Sequence, residues 1–153
     1  MKIEYLADRP DYVPTLAAWH RREWGYLRPE ESVETRAAKL RTWSGRRGIP
    51  TVFVASADDT LLGSAMLVAH DMETRLHWSP WLAGVVVSPE HRRRGVGASL
   101  VRHATTEARL LGFPTLYLYA CSTEAYYAHL GWQLIERDSY LGAAVSIMSF
   151  DLL

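Results

Sequence analysis

With one cysteine, Cys121, in 153 residues, the chain cannot form an intramolecular disulfide, which fits a reducing compartment. Neither charge sign is in excess. Lys+Arg and Asp+Glu stand at 17 each, so no overall field favours nucleic acid or an anionic membrane surface. Long apolar runs are missing too: Trp81–Val87 falls far short of a membrane span. The amino-terminal MKIEYLADRPDY carries charges where a secretory leader needs an apolar core. Repeats, low-complexity tracts and linker-like stretches are absent. The expectation is one domain over residues 1–153, in the cytoplasm, large enough to bury a substantial core.

The phosphate-binding motifs are incomplete in an informative way. There is no GxxxxGK[ST], and residues 95–100 read GVGASL, a dinucleotide fingerprint without its third glycine. What is present is residues 82–113, LAGVVVSPEHRRRGVGASLVRHATTEARLLGF. Ala83–Val87 is a β-branched apolar run suited to a strand covered on both faces. Ser88-Pro89 stops it, because proline cannot donate to a ladder. Gly95 and Gly97 allow a tight turn and close approach of a ligand. The helix that follows opens without an acidic residue. Its first amides, from about Arg94 to Ala98, are expected to be unpaired donors that favour an anion, with Arg92, Arg93 and Arg94 adding charge. Together these predict a pyrophosphate site.

The order R-x-x-G-x-G (Arg92, Gly95, Gly97) after a strand and proline turn resembles motif A of the GNAT acetyltransferase superfamily, which binds acetyl-CoA. The resemblance implies that the strand, through Val85, Val86 and Val87, pairs with the pantetheine arm. It also implies that Arg92, Arg93, Arg94, Gly95, Val96, Gly97 and Ala98 hold the pyrophosphate. A second segment, Ala125-Tyr126-Tyr127-Ala128-His129-Leu130-Gly131-Trp132, is similar to the family's AxxFYxxLGF, with tryptophan as the last aromatic. By that resemblance Tyr127 protonates the leaving thiolate. Tyr126, about 100° around the helix, is expected to pack.

Periodicity gives the same order of elements. Strands are expected at Lys2–Leu6, Thr51–Ala57, Leu61–Ala69, Leu82–Val87, Thr115–Ala120, Trp132–Arg137 and Val145–Phe150. Helices are expected at Pro10–Trp24, Glu31–Trp43, Gly97–Leu111 and Thr123–Leu130. The order β-α-α-β-β-β-α-β-α-β-β is an α/β (α+β) fold with a mixed sheet flanked by helices, as the family has.

The implied reaction is direct transfer of acetyl to an amine, with no covalent enzyme intermediate and no metal. A backbone N–H near Val86 or Val87 would receive the oxyanion. A base is needed because an amine near pKa 10.4 is protonated at neutral pH. Ala83–Val87 holds no titratable side chain. The nearest candidates are His70, Asp71, Glu73 and His77, with Asp71 ranked first because it directly follows a strand end. Cys121 reads as packing rather than an acyl carrier.

The acceptor site implied by the resemblance draws on the first helix pair and the last hairpin, where Trp24, Tyr26, Arg28, Glu30, Glu31, Asp138, Tyr140 and Leu141 lie; Trp78 and Trp81 precede the motif strand. Of these, Trp24, Tyr26, Glu31, Trp81 and Tyr140 are the expected substrate contacts. Aromatic faces with carboxylates suit an organic cation or amine. Two rival readings are a non-catalytic acyl-CoA-binding module and a tRNA-acetylating toxin-like relative. Zero net charge disfavours the second, and the HRRR run suits cofactor phosphates better. The edge strands and last hairpin leave room for a homodimer.

Overall fold

Alternating burial builds the centre of the molecule. In the computed structural model, which describes residues 1–153, strand β2 (Thr51–Ala57) sends Val52 and Val54 to one face and Phe53 and Ala55 to the other, all buried. A strand apolar on both faces must be covered twice. Helices α1 (Val13–Trp24) and α2 (Val33–Trp43) cover the first face, where Leu16, Ala17 and Leu40 meet Val52, Val54 and Met66. Helix α3 (Val96–Leu110) covers the second, with Leu100, Val101, Ala104 and Ala108 against Phe53, Leu67 and Leu82. The shorter α4 (Glu124–His129) brings Tyr127 to that same core.

The remaining strands are β1 (Lys2–Tyr5), β3 (Thr60–Val68), β4 (Trp81–Val87), β5 (Thr115–Ala120), β6 (Gln133–Tyr140) and β7 (Ala143–Asp151). They form one seven-stranded mixed sheet ordered β1-β2-β3-β4-β5-β7-β6. Every neighbouring pair is antiparallel except β4 and β5, which are parallel. The predicted fold class and element order hold.

Element ends differ for identifiable reasons. Pro10–Tyr12 is a separate 3-10 turn, and α1 starts only at Val13. Ser32, whose hydroxyl accepts from the Thr35 amide at 3.1 Å, caps α2, so Glu31 stays outside the helix. The last hairpin is longer than predicted because Leu141 and Gly142, both at positive φ, form a two-residue turn that keeps the strands paired from Tyr140↔Ala143 onward. No helix is long and apolar enough to cross a membrane.

Candidate active site

The parallel strands β4 and β5 touch at only one register position, Trp81↔Tyr117, and then diverge. The cause lies in β4. Between Ser64↔Val86 and Met66↔Ala83 it carries one residue more than its partner β3, a bulge at Gly84 and Val85. Gly84 sits at φ +58°, and a Cβ there would stand 2.5 Å from the Met66 sulfur and 3.2 Å from His20 Cε1. Glycine alone fits this position.

The bulge is held from beneath by a buried polar chain. Ser64 Oγ donates to the Gly84 carbonyl at 2.7 Å, so it receives from His20 Nε2 at 3.2 Å. His20 Nδ1 then carries the lone pair and accepts from Arg36 Nε at 3.2 Å. Burial, aided by the Arg36 charge, holds the imidazole well below its usual pKa, which keeps this neutral tautomer in place. His20 and Ser64 are missing from the predicted site. The one visible sign was a histidine on the apolar face of the first helix, among Val13, Leu16 and Ala17.

The divergence opens a cleft of about 1040 Å³. One half is built by β4, α3 and α4. Val85, Val86 and Val87 line it, followed by Gly95, Val96, Gly97 and Ala98. Gly95, at φ +80°, caps α3, and the first helical bond runs from the Ser99 amide to its carbonyl at 3.0 Å. The amides of Val96, Gly97 and Ala98 therefore lack helical partners, and no acidic side chain occupies the first turn. The three predicted arginines separate. Arg93 faces the cleft; Arg92 also lines it but is held by the Val87 carbonyl (3.0 Å) and Glu23 (3.2 Å). Arg94 lies outside the cleft, because the chain turns at Arg93 (φ +63°) before entering the helix.

Tyr126 and Tyr127 both line this half, their rings edge-on at 5.2 Å. Tyr127 is buried against Trp132, and burial raises its phenol above the ordinary value, so it remains a proton donor. Tyr126, expected only to pack, is 42% exposed. Its hydroxyl lies 2.8 Å from the place a Cβ on residue 97 would occupy, at the mouth of the amide cradle.

The other half lies between the sheet and the α1–α2 pair. Trp24, Tyr26, Glu31 and Asp71 meet there with Arg28, Arg36, Tyr119 and Cys121. Asp71 makes no hydrogen bond; desolvation pushes its carboxyl up to about 6, opposed by the charges of Arg36 and Arg28. Glu31 is occupied by Lys39 (2.6 Å) and Arg36 (3.5 Å). Tyr26 is exposed, its phenol raised first by the Cys121 thiol beside it.

Two expected substrate contacts lie elsewhere. Trp81 is fully buried beneath the cleft, its indole N–H donating to the Trp78 carbonyl at 2.7 Å and its ring against Tyr117. Tyr140 is buried behind Tyr119, edge-on at 5.4 Å, with its hydroxyl accepting from the Glu73 amide. Both are aromatics beside loops, and aromatics so placed also close a core.

Comparison with known proteins adds a family match. The model of the Acetyltransferase (GNAT) family matches residues 13–132. No curated protein matches the chain. An aminoglycoside 6'-N-acetyltransferase complexed with coenzyme A superposes at TM-score 0.78 with 17% identity, covering 100% of this chain and 98% of that one. The yncA protein of Salmonella typhimurium, with its cofactor acetyl-CoA, gives 0.74 at 15% identity over 99% and 94%. A ribosomal-protein-alanine N-acetyltransferase from Brucella melitensis gives 0.74 at 20% identity over 99% of each. At such identities these likenesses speak for the fold.

Proposed function

Because this chain belongs to the GNAT acetyltransferase family, we propose that it transfers an acetyl group directly from acetyl-CoA to a primary amine of a small molecule or peptide. Residues 1–153 would act as one catalytic domain, in the cytoplasm. The observation that carries the reading is the diverging β4–β5 gap, with unpaired helix amides at its mouth and a buried phenol on its wall.

The amides of Val96, Gly97 and Ala98 hold the pyrophosphate at the positive end of α3, with Arg93 beside them. The free edge of β4, from Val85 to Val87, pairs with the pantetheine amides, as an added strand would. A backbone N–H of the bulged strand receives the thioester oxygen as charge develops on it. Asp71 takes a proton from the acceptor ammonium, directly or through water, which frees the lone pair for attack on the carbonyl carbon. As the tetrahedral intermediate collapses, the nitrogen loses its second proton to water, the C–S bond breaks, Tyr127 donates its proton to the sulfur, and the phenolate is reprotonated from solvent. The phenol, raised by burial, holds its proton at neutral pH and has it to give as thiolate charge develops on the sulfur.

Two measurements on the purified protein test this. Calorimetric titration should give micromolar binding of acetyl-CoA, retained binding of desulfo-CoA and weak binding of ATP. Thiol release should then follow on adding a suitable amine. Absence of acetyl-CoA binding would end the reading; binding without release across a broad amine panel would favour the non-catalytic module.

Asp71→Asn separates function from stability. It should lower kcat ten- to a hundredfold and remove the fall in kcat/KM expected below about pH 6. Stability should move the other way. A carboxyl whose folded pKa is raised costs the folded state free energy once pH exceeds the ordinary carboxylate range. The variant should therefore gain on the order of 1–2 kcal/mol at pH 7, a gain that vanishes near pH 3. Equal melting temperatures at pH 7 and unaltered turnover would remove Asp71 from the site.

A further inference from the structure

The charged groups of the acceptor half are mostly taken. Glu31 is held by Lys39 and Arg36, and Arg36 also donates to His20, while Arg21 reaches only the Pro29 carbonyl, at 3.4 Å. Asp71 and Arg28 stay available for a ligand. Asp71 has neither a hydrogen bond nor an ion pair, only the more distant charges of Arg36 and Arg28. Arg28 makes one bond, to Glu73 at 3.0 Å, and Glu73 is 70% exposed at the rim. A pair of that kind is weak and solvent-competed, and a guanidinium has five N–H donors, so most of Arg28 is unspent. Asp71 and Arg28 thus face a common space, too far apart to bond each other. On this side Arg21, Arg28 and Arg36 also line the cleft, a setting that opposes a polycation.

Resting on the acetyltransferase reading, we infer that the acceptor is an amine that also carries a carboxylate, such as a free amino acid. Its ammonium sits on Asp71 and its carboxylate on Arg28. The planar guanidinium suits a carboxylate in a bidentate pair, while Trp24, Tyr26 and Tyr119 offer flat surfaces to the rest of the molecule. This narrows the sequence expectation of an organic cation to a zwitterion.

The test uses matched pairs: L-arginine with agmatine, L-lysine with cadaverine, L-phenylalanine with phenethylamine, and spermidine as a polycation. Thiol release from acetyl-CoA gives kcat/KM for each, with acetyl-CoA affinity measured separately. The best pair should favour its carboxylated member at least tenfold, mainly through KM. Arg28→Gln should lower kcat/KM for that member at least tenfold more than for its decarboxylated partner, and Arg28→Lys should recover part of the difference. Equal or better turnover of the decarboxylated amines or spermidine would overturn the inference, as would an equal effect of Arg28→Gln on both members of a pair. If no amine at all releases thiol, the acetyltransferase reading itself fails and this inference goes with it.

Discussion

Replacing Gly97 with glutamate should lower acetyl-CoA affinity at least a hundredfold without unfolding the protein. A Cβ at this position would stand 2.8 Å from the Tyr126 hydroxyl and 3.4 Å from a Val87 methyl, so the neighbouring side chains must shift. The larger effect is electrostatic. A carboxylate in the first turn of α3 would satisfy the free amides from within the chain and repel a pyrophosphate placed there. The same contact supports the helix, so the melting temperature should be kept or raised while binding is lost. Calorimetry and a thermal melt of one sample distinguish the outcomes. Unchanged affinity would show that phosphates bind elsewhere; a collapsed melting temperature would show that Gly97 serves packing. Gly97→Ala brings the crowding without the charge and should cost far less.

Tyr127→Phe should reduce kcat by about 10²–10⁴ while acetyl-CoA affinity stays within a few-fold. The ring packs against Trp132 and Tyr126, and phenylalanine retains that packing. What is lost is the proton held in the cleft by burial, so thiolate would have to leave without it. The split between kcat and affinity is the diagnostic. A variant with full turnover would move the acid elsewhere, and the exposed Tyr126 would be examined next.

The residues on the β4–α3 side of the cleft were legible in the sequence and those on the other side were less so, for a physical reason. The strand, proline turn and glycine loop are contiguous, so Val85 through Ala98 could be placed from spacing alone. Arg94 groups with Arg92 and Arg93 in the sequence but lies outside the cleft, because three adjacent arginines look alike until the left-handed turn at Arg93 is known. The acceptor half is assembled from α1, α2, the segment after β3 and β5, four pieces distant in the chain. Trp24, Tyr26, Glu31 and Asp71 could each be proposed singly. Their neighbours Arg36, His20 and Tyr119 could not, since nothing local marks Arg36 as the donor to a histidine sixteen positions earlier. Likewise Gly84 reads as one small residue in an apolar strand, and only the register against β3 reveals the bulge.

That bulge and the single β4–β5 pairing make the sheet two leaves joined at one corner. One leaf, β1 to β4, runs into the first turn of α3; the other, β5 to β7, carries Tyr119, and the segment after β5 bears Tyr127. At the corner Trp78 stacks flat on Tyr117 at 5.2 Å, and Trp81 leans on the same ring at 5.7 Å. These rings behave as a pivot pin. In the proposed reaction the angle they fix would set how far Tyr127 stands from β4 and the thioester beside it, a distance to which catalysis is steeply sensitive. On that reading, the aromatic cluster would govern the reach of a reaction that takes place beyond its own contact.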